Sequence, residues 1–185
     1  MHNLRSRWML LAVVVMGIAA ATVPWPVAAQ SDTPLWRAPV AVWESQGTAS
    51  APQMVTDAAG ISHLFFIGHL NDSSSNALYH VAVGQGEPYQ PADMLVFEVH
   101  DYRDYRVAAD PFGWIHLIFR QQNELWYSRA SSDQAGDAGA WTVPIALVTA
   151  SPGADLSVSA DGALHICFPR GAQVQYLTLP DAGAS

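Results

Sequence analysis

The sequence predicts an all-β protein built from repeated units of about 50 residues, and three observations support this prediction. The first is a segment with Gly, then His three positions later, then three apolar residues ending in Phe: GISHLFF at 60–66, GWIHLIF at 113–119 and GALHICF at 162–168. The second is spacing, because the histidines His63, His116 and His165 lie 53 and 49 residues apart, as do the glycines of the same segments. The third is that the repeats consist of short apolar runs between turn residues and show no 3.6-residue helical periodicity.

Each unit contains four predicted strands. The first strand precedes the turn, at 52–56, 105–109 and 155–159. The turn carries an acidic residue and the glycine, with Asp57, Asp110 and Asp161 as the acidic residues, and such residues favour tight turns. The histidine strand follows, and then a strand marked by a tyrosine: Tyr79, Tyr127 and Tyr176. The fourth strand follows an aromatic residue, Tyr89 or Trp141.

Repeated four-stranded units of this length are typical of β-propeller blades. We therefore predict three blades of antiparallel strands, with repeats near 50–100, 104–148 and 154–179. In GWIHLIF both odd and even positions are apolar, which predicts a strand covered on both faces. The third unit has only three strands, and the segment 36–42 resembles the missing fourth one, so we expect this N-terminal strand to close the last blade.

Three blades are fewer than the usual four to eight. A three-bladed ring would leave too little room at its axis, and an open set of three would expose apolar faces. Two arrangements remain open. A homodimer would complete a six-blade ring, or the chain is a piece of a longer propeller.

The N-terminus has the three parts of an export signal. Arg5 and Arg7 precede an apolar stretch at 9–23, and small residues at 27–29 offer a cleavage site after Ala29. The apolar stretch is shorter than the roughly 20 residues of a membrane-spanning helix. We therefore expect a signal peptide at 1–29 and a secreted or periplasmic mature chain, 30–185, at the cell exterior with no membrane anchor.

Composition restricts the partners. Without the signal, six basic residues face 16 acidic ones, so the mature chain has a net charge of −10, and lysine is absent. Such a surface repels phosphate backbones, which argues against nucleic acid and anionic membrane as partners. The single cysteine, Cys167, has no partner for an internal disulfide and is expected to be a small buried residue.

The repeated pattern resembles that of secreted sialidase-like propeller proteins with BNR-type repeats, and the resemblance covers residues 36–179. It implies the propeller fold. Sialidases of that superfamily use three arginines, a tyrosine and glutamate pair, and an aspartate, but the Asp-box is matched only partly, by Ser159-Ala160-Asp161-Gly162, and no Arg-Ile-Pro segment is found. No catalytic residue is therefore assigned, and enzyme activity is left open with the balance against it.

Candidate ligand-binding residues come from two sources. One polar run lies just before an innermost strand, where it could line the mouth of the central channel and support acid–base chemistry or bind an acidic sugar: His100, Asp101, Tyr102, Arg103, Asp104 and Arg106. The other source is Trp114 and Trp126, which differ from the equivalent residues of the other units. The alternatives are a solvated loop for the first group and core packing for the second.

We predict no metal site and no cofactor. The three repeated histidines would stand in separate blades, too far apart to share one ion, and each is expected to tie its own turn to a carbonyl or to the repeated Asp. The predicted function is an exported, non-catalytic binding or scaffold protein with a glycan or protein ligand. The alternative is a sialidase-like glycoside hydrolase fragment, or a half-propeller completed by dimerisation.

Overall fold

The computed structural model describes residues 41, 48–69, 76–83, 93–98 and 104–180. This part of the chain is all-β, as predicted, with eleven strands, two short 3₁₀ helices and no α-helix. No helix within these ranges is long and apolar enough to cross a membrane. The predicted signal segment, the polar residues 100–103 and the closing strand 36–42, apart from Ala41, lie outside the described residues.

Within the described residues the strands form three antiparallel sheets, none of which closes on itself, and neighbours in sequence are neighbours in each sheet. The first sheet contains β1 (Thr48–Thr56), β2 (Ser62–His69), β3 (Asn76–Val83) and β4 (Asp93–Glu98). The second contains β5 (Tyr105–Ala109), β6 (Trp114–Gln121), β7 (Glu124–Ser131) and β8 (Ile145–Thr149). The third contains β9 (Asp155–Val158), β10 (Leu164–Arg170) and β11 (Gln173–Leu179).

The predicted turns between the first two strands of each sheet are present. In the first sheet the N–H of Gly60 donates to the carbonyl of Asp57 at 3.0 Å, and the third sheet repeats this bond from Gly162 to Ser159 at 2.9 Å. Gly60 and Gly162 have φ values of 82° and 83°, a region that side chains other than glycine rarely enter. Ser159, rather than Asp161, therefore occupies the position of the repeated turn aspartate.

The predicted equivalence of Tyr79 with the other two tyrosines is wrong by one residue. Tyr127 lies opposite Ile118, which follows His116 by two residues. In the first sheet Phe65 follows His63 by two residues, and the residue opposite Phe65 is His80. Because side chains alternate between the faces of a strand, this difference of one position in register places Tyr79 on the opposite face. His80 stands where the other sheets have tyrosine.

Each sheet has two distinct faces. We call the face that carries His63, His116 or His165 the histidine face, and the other the phenylalanine face, after Phe66, Phe119 and Phe168. The histidine face of the first sheet packs on the phenylalanine face of the second, and the histidine face of the second packs on the phenylalanine face of the third. Strand β6 is covered on both faces, as its sequence predicts.

The edge strands β1 and β5 are joined by two side chains, Gln53 of β1 and Tyr105 of β5, whose hydroxyl donates to the carbonyl of Ala51 at 2.5 Å. The amide of Gln53 donates from Nε2 to the carbonyl of Tyr105 at 2.6 Å and accepts at Oε1 from the N–H of Val107 at 3.2 Å. The equivalent residue of the second sheet is Arg106, whose Nε lies 3.4 Å from Oδ1 of Asp155 in β9. In the first two sheets the first strand therefore reaches the first strand of the next sheet through a polar side chain.

Candidate functional site

The histidine face of the second sheet carries a buried chain of hydrogen bonds. Asp110 Oδ1 accepts from the N–H groups of Phe112 and Trp114, both at 2.8 Å. Its Oδ2 lies 3.1 Å from Nε2 of His116, whose Nδ1 lies 2.9 Å from the Tyr127 hydroxyl. Burial lowers the pKa of His116 and raises that of Tyr127 to about 12. Neutral His116 therefore donates to Asp110 and accepts from Tyr127.

The first sheet has the same chain with a second histidine in place of tyrosine. Asp57 Oδ2 lies 3.3 Å from Nε2 of His63, and Nδ1 of His63 lies 2.9 Å from Nε2 of His80. Burial, followed by the charge of His63, lowers the pKa of His80 to about 4. Burial alone would raise the pKa of Asp57, but hydrogen bonds from the Ile61 N–H and from His63 outweigh burial and lower it. The prediction that the histidine ties its turn to the aspartate is confirmed in these two sheets.

The third sheet keeps the tyrosine bond and changes the turn. His165 Nδ1 is hydrogen-bonded to the Tyr176 hydroxyl. Ser159 occupies the aspartate position, and its hydroxyl donates to the carbonyl of Ala163 at 3.1 Å and to the carboxylate of Asp161. The Ser159 hydroxyl, and next the Ala163 N–H, lower the pKa of Asp161. The turn is thus held by a neutral hydroxyl where the other two use a carboxylate.

The histidine face of the third sheet is exposed, whereas the equivalent faces of the other sheets are buried. Leu78 and Leu125 are 0% and 1% exposed, but the equivalent Val174 is 80% exposed. The same holds at the tyrosine position, where Tyr127 is 8% exposed and Tyr176 is 65% exposed. We call this exposed surface, formed by Asp155, His165, Cys167, Val174 and Tyr176, the open face.

Cys167 follows the same pattern. Its equivalents, Phe65 and Ile118, are 0% and 1% exposed, whereas Cys167 is an exposed free thiol, contrary to the expectation that it is buried. It borders a depression of about 210 Å³ that Ser157, His165 and Tyr176 also line. Cys167, Val174 and Tyr176 thus meet solvent at positions that are buried against a neighbouring sheet elsewhere. The open face therefore has the composition of an interface between sheets.

Two of the polar residues predicted at a channel mouth, Asp104 and Arg106, make contacts between the second sheet and residues 153–155, where the third sheet begins. Asp104 is 8% exposed and accepts from Nε of Arg120 at 2.5 Å and from the N–H of Gly153 at 3.1 Å. Arg106 pairs with Asp155 and donates to the carbonyl of Tyr105 at 2.7 Å. His100, Asp101, Tyr102 and Arg103 lie outside the described residues, so their predicted role stays a prediction.

The structure does not bring the two candidate tryptophans together. Trp114 begins β6 on the histidine face of the second sheet, with the guanidinium carbon of Arg129 4.5 Å from its ring centre. Trp126 lies opposite Phe119, on the other face, and packs against the core between the first and second sheets. Its buried Nε1 has no hydrogen-bond partner among the described residues. The open face, rather than this pair, gathers exposed aromatic and apolar side chains.

Sequence reasoning anticipated that an open set of three units would expose apolar faces, but it did not identify the exposed residues. Val174 and Tyr176 lie in a run, VQYLTL, that resembles a buried strand. Comparison with known proteins adds no assignment. The chain matches none of the models of known protein families, and no curated protein matches its sequence.

Proposed function

We propose that this protein is an exported, non-catalytic binding protein, a β-propeller segment whose blades are the three sheets, and that the open face is its binding surface. The contacts between β1 and β5 and between β5 and β9 support the propeller arrangement, since the first strands of successive blades adjoin around the axis of such a fold. The observation that carries the proposal is the exposure of Val174, Cys167 and Tyr176. The residues at the equivalent positions of the other two sheets are buried.

A protein surface suits the open face better than a sugar. Two neighbouring strands present valine, cysteine and tyrosine, and buried clusters of such side chains stabilise protein interfaces. The depression of about 210 Å³ is smaller than most small-molecule pockets. The burial of the residues best suited to acid–base catalysis also favours a binding function over an enzymatic one. The Asp57–His63 and Asp110–His116 pairs are buried between sheets and hold turns in place.

The test combines two measurements on the purified full chain. Fluorogenic sialosides and other aryl glycosides report hydrolysis, and we expect none above the chemical background. A glycan array probed with the labelled chain reports sugar binding. Turnover by the folded protein, or glycan binding that survives Tyr176→Ala, would place the function elsewhere and overturn the proposal.

A further control measures the open face directly. A dye that fluoresces on exposed apolar surface should bind the dilute protein, and Val174→Asp should reduce its fluorescence. Val143→Asp is the matched control, because Val143 is 85% exposed, close to the 80% of Val174, and lies outside the open face. Equal losses in both variants would contradict the assignment of the binding surface.

A further inference from the structure

The open face has a counterpart on the first sheet. Val107 in the second sheet and Leu156 in the third lie on phenylalanine faces and pack against the preceding sheet. The equivalent residue of the first sheet is Met54, which pairs with Leu64 as Val107 pairs with Leu117. Val107 is 8% exposed, whereas Met54 is 68% exposed. The first sheet therefore presents an apolar side chain of the type that covers a histidine face.

Part of this counterpart surface is already buried. Phe66, Tyr79 and Val81 form a cluster farther along the same face, with exposures of 4%, 7% and 1%. Met54 lies on β1, the strand whose equivalents β5 and β9 adjoin the first strand of the preceding sheet. The exposed part of the first sheet thus lies along the strand that would make the contact.

We infer that the open face of one molecule binds the first sheet of a second copy, and that two copies close into a ring of six sheets. This inference rests on the proposed function and names its partner. Each copy supplies one open face and one first sheet, so a two-fold pair forms the same contact twice and leaves neither surface free. Six sheets also fall within the four to eight blades of closed propellers.

The contact would reproduce one that the chain already makes twice. Histidine faces of the first and second sheets each receive the phenylalanine face of the next sheet, and the buried side chains at these contacts come from the same repeat positions. On the open face, Val174 and Cys167 occupy the positions of Leu125 and Ile118. A second copy is a partner whose first sheet exposes Met54, the equivalent of Val107, which covers a histidine face within the chain.

The experiment measures the mass of the purified full chain in solution together with the reactivity of Cys167. Sedimentation velocity over a wide concentration range should show a species of about twice the chain mass of 19.9 kDa at high concentration. Cys167 is the single cysteine, so maleimide labelling reports the open face alone. Labelling should be fast for the monomer and slow for the dimer.

Two variants locate the interface. Val174→Asp places a charge on the open face and Met54→Asp places one on the first sheet, and each should weaken self-association at least about a hundredfold because a buried charge without a partner is costly. Val143→Asp should leave it unchanged. A mixture of Val174→Asp and Met54→Asp should form a heterodimer through its one intact contact, which a face-to-face pairing of two open faces would not allow.

Each outcome decides a separate claim. A monomer at every concentration with a reactive Cys167 would overturn the dimer and leave the open face as a surface for another protein. A protected thiol in a monomer would overturn the proposed binding surface as well, because the face would then be covered within the chain. Growing filaments, or a dimer that survives Val174→Asp, would overturn the closed ring.

Discussion

Acid should destabilise this protein through His80 before its carboxylates are protonated. The imidazole is 3% exposed, and burial lowers its pKa from 6.5 to about 4. Since the unfolded chain takes up this proton at higher pH than the folded chain, stability is full above pH 6.5 and falls as the pH drops toward 4. At about 1.4 kcal/mol per unit, the shift corresponds to a loss of about 3 kcal/mol. That is a large share of the roughly 5 to 15 kcal/mol that stabilises a typical domain.

The variant that isolates this effect is His80→Tyr, because the other two sheets have tyrosine at this position and its hydroxyl can donate to Nδ1 of His63. Urea unfolding of the wild type and the variant at several pH values between 7 and 4 gives the free energy of unfolding. The variant should lose about 3 kcal/mol less than the wild type over this range. His165→Tyr makes the same chemical change and keeps His80, so it should retain the wild-type loss. An equal loss in wild type and His80→Tyr would refute the assignment.

Three further predictions concern stability, and urea unfolding measures each. Gly113→Ala should lower the free energy of unfolding by about 1 to 2 kcal/mol, because φ is 91° at this turn. Gly68→Ala should lower it by about 1 to 3 kcal/mol, since a new Cβ would lie 2.4 Å from the buried Tyr79 ring, and the loss should shrink in a Tyr79→Leu background. Asp104→Ala should cost about 3 to 5 kcal/mol by removing the carboxylate that pairs with the buried Arg120, whereas Arg106→Ala, in a partly exposed pair, should cost under about 1 kcal/mol. Similar losses for the last two variants would contradict the difference in burial.

Much of the strand pattern could be predicted from the repeat. The second sheet's first strand was expected at 105–109 and is found at Tyr105–Ala109, and the third sheet has the expected three strands. These predictions succeed because glycine at positive φ sets the end of each turn and the apolar runs set the strands between. The closed propeller and the closing strand at 36–42 stay predictions.

The errors came from residue type taken without register. Tyr79 was chosen over His80 because tyrosine recurs in the other units, but a difference of one residue reverses the face of a strand. Asp161 was chosen for its charge, whereas the backbone bond from Ser159 to the carbonyl of Ala163 sets the turn position. The hairpin of the first sheet is longer than the others, so sequence spacing alone does not determine which side chain faces His63.

Gln53 has a consequence for the way the sheets are aligned. Its side chain ends in the same chemical group as a peptide bond, and it bonds Tyr105 and Val107 as a residue of a parallel strand would. One side chain thus extends the backbone ladder of β5 across the gap to β1. Sliding β1 by a single position along β5 would set the amide against groups that point away from it. The two Gln53 hydrogen bonds therefore fix the alignment of the two sheets along the strand direction. Because the amide carries no charge and does not titrate, neither salt nor pH weakens these bonds.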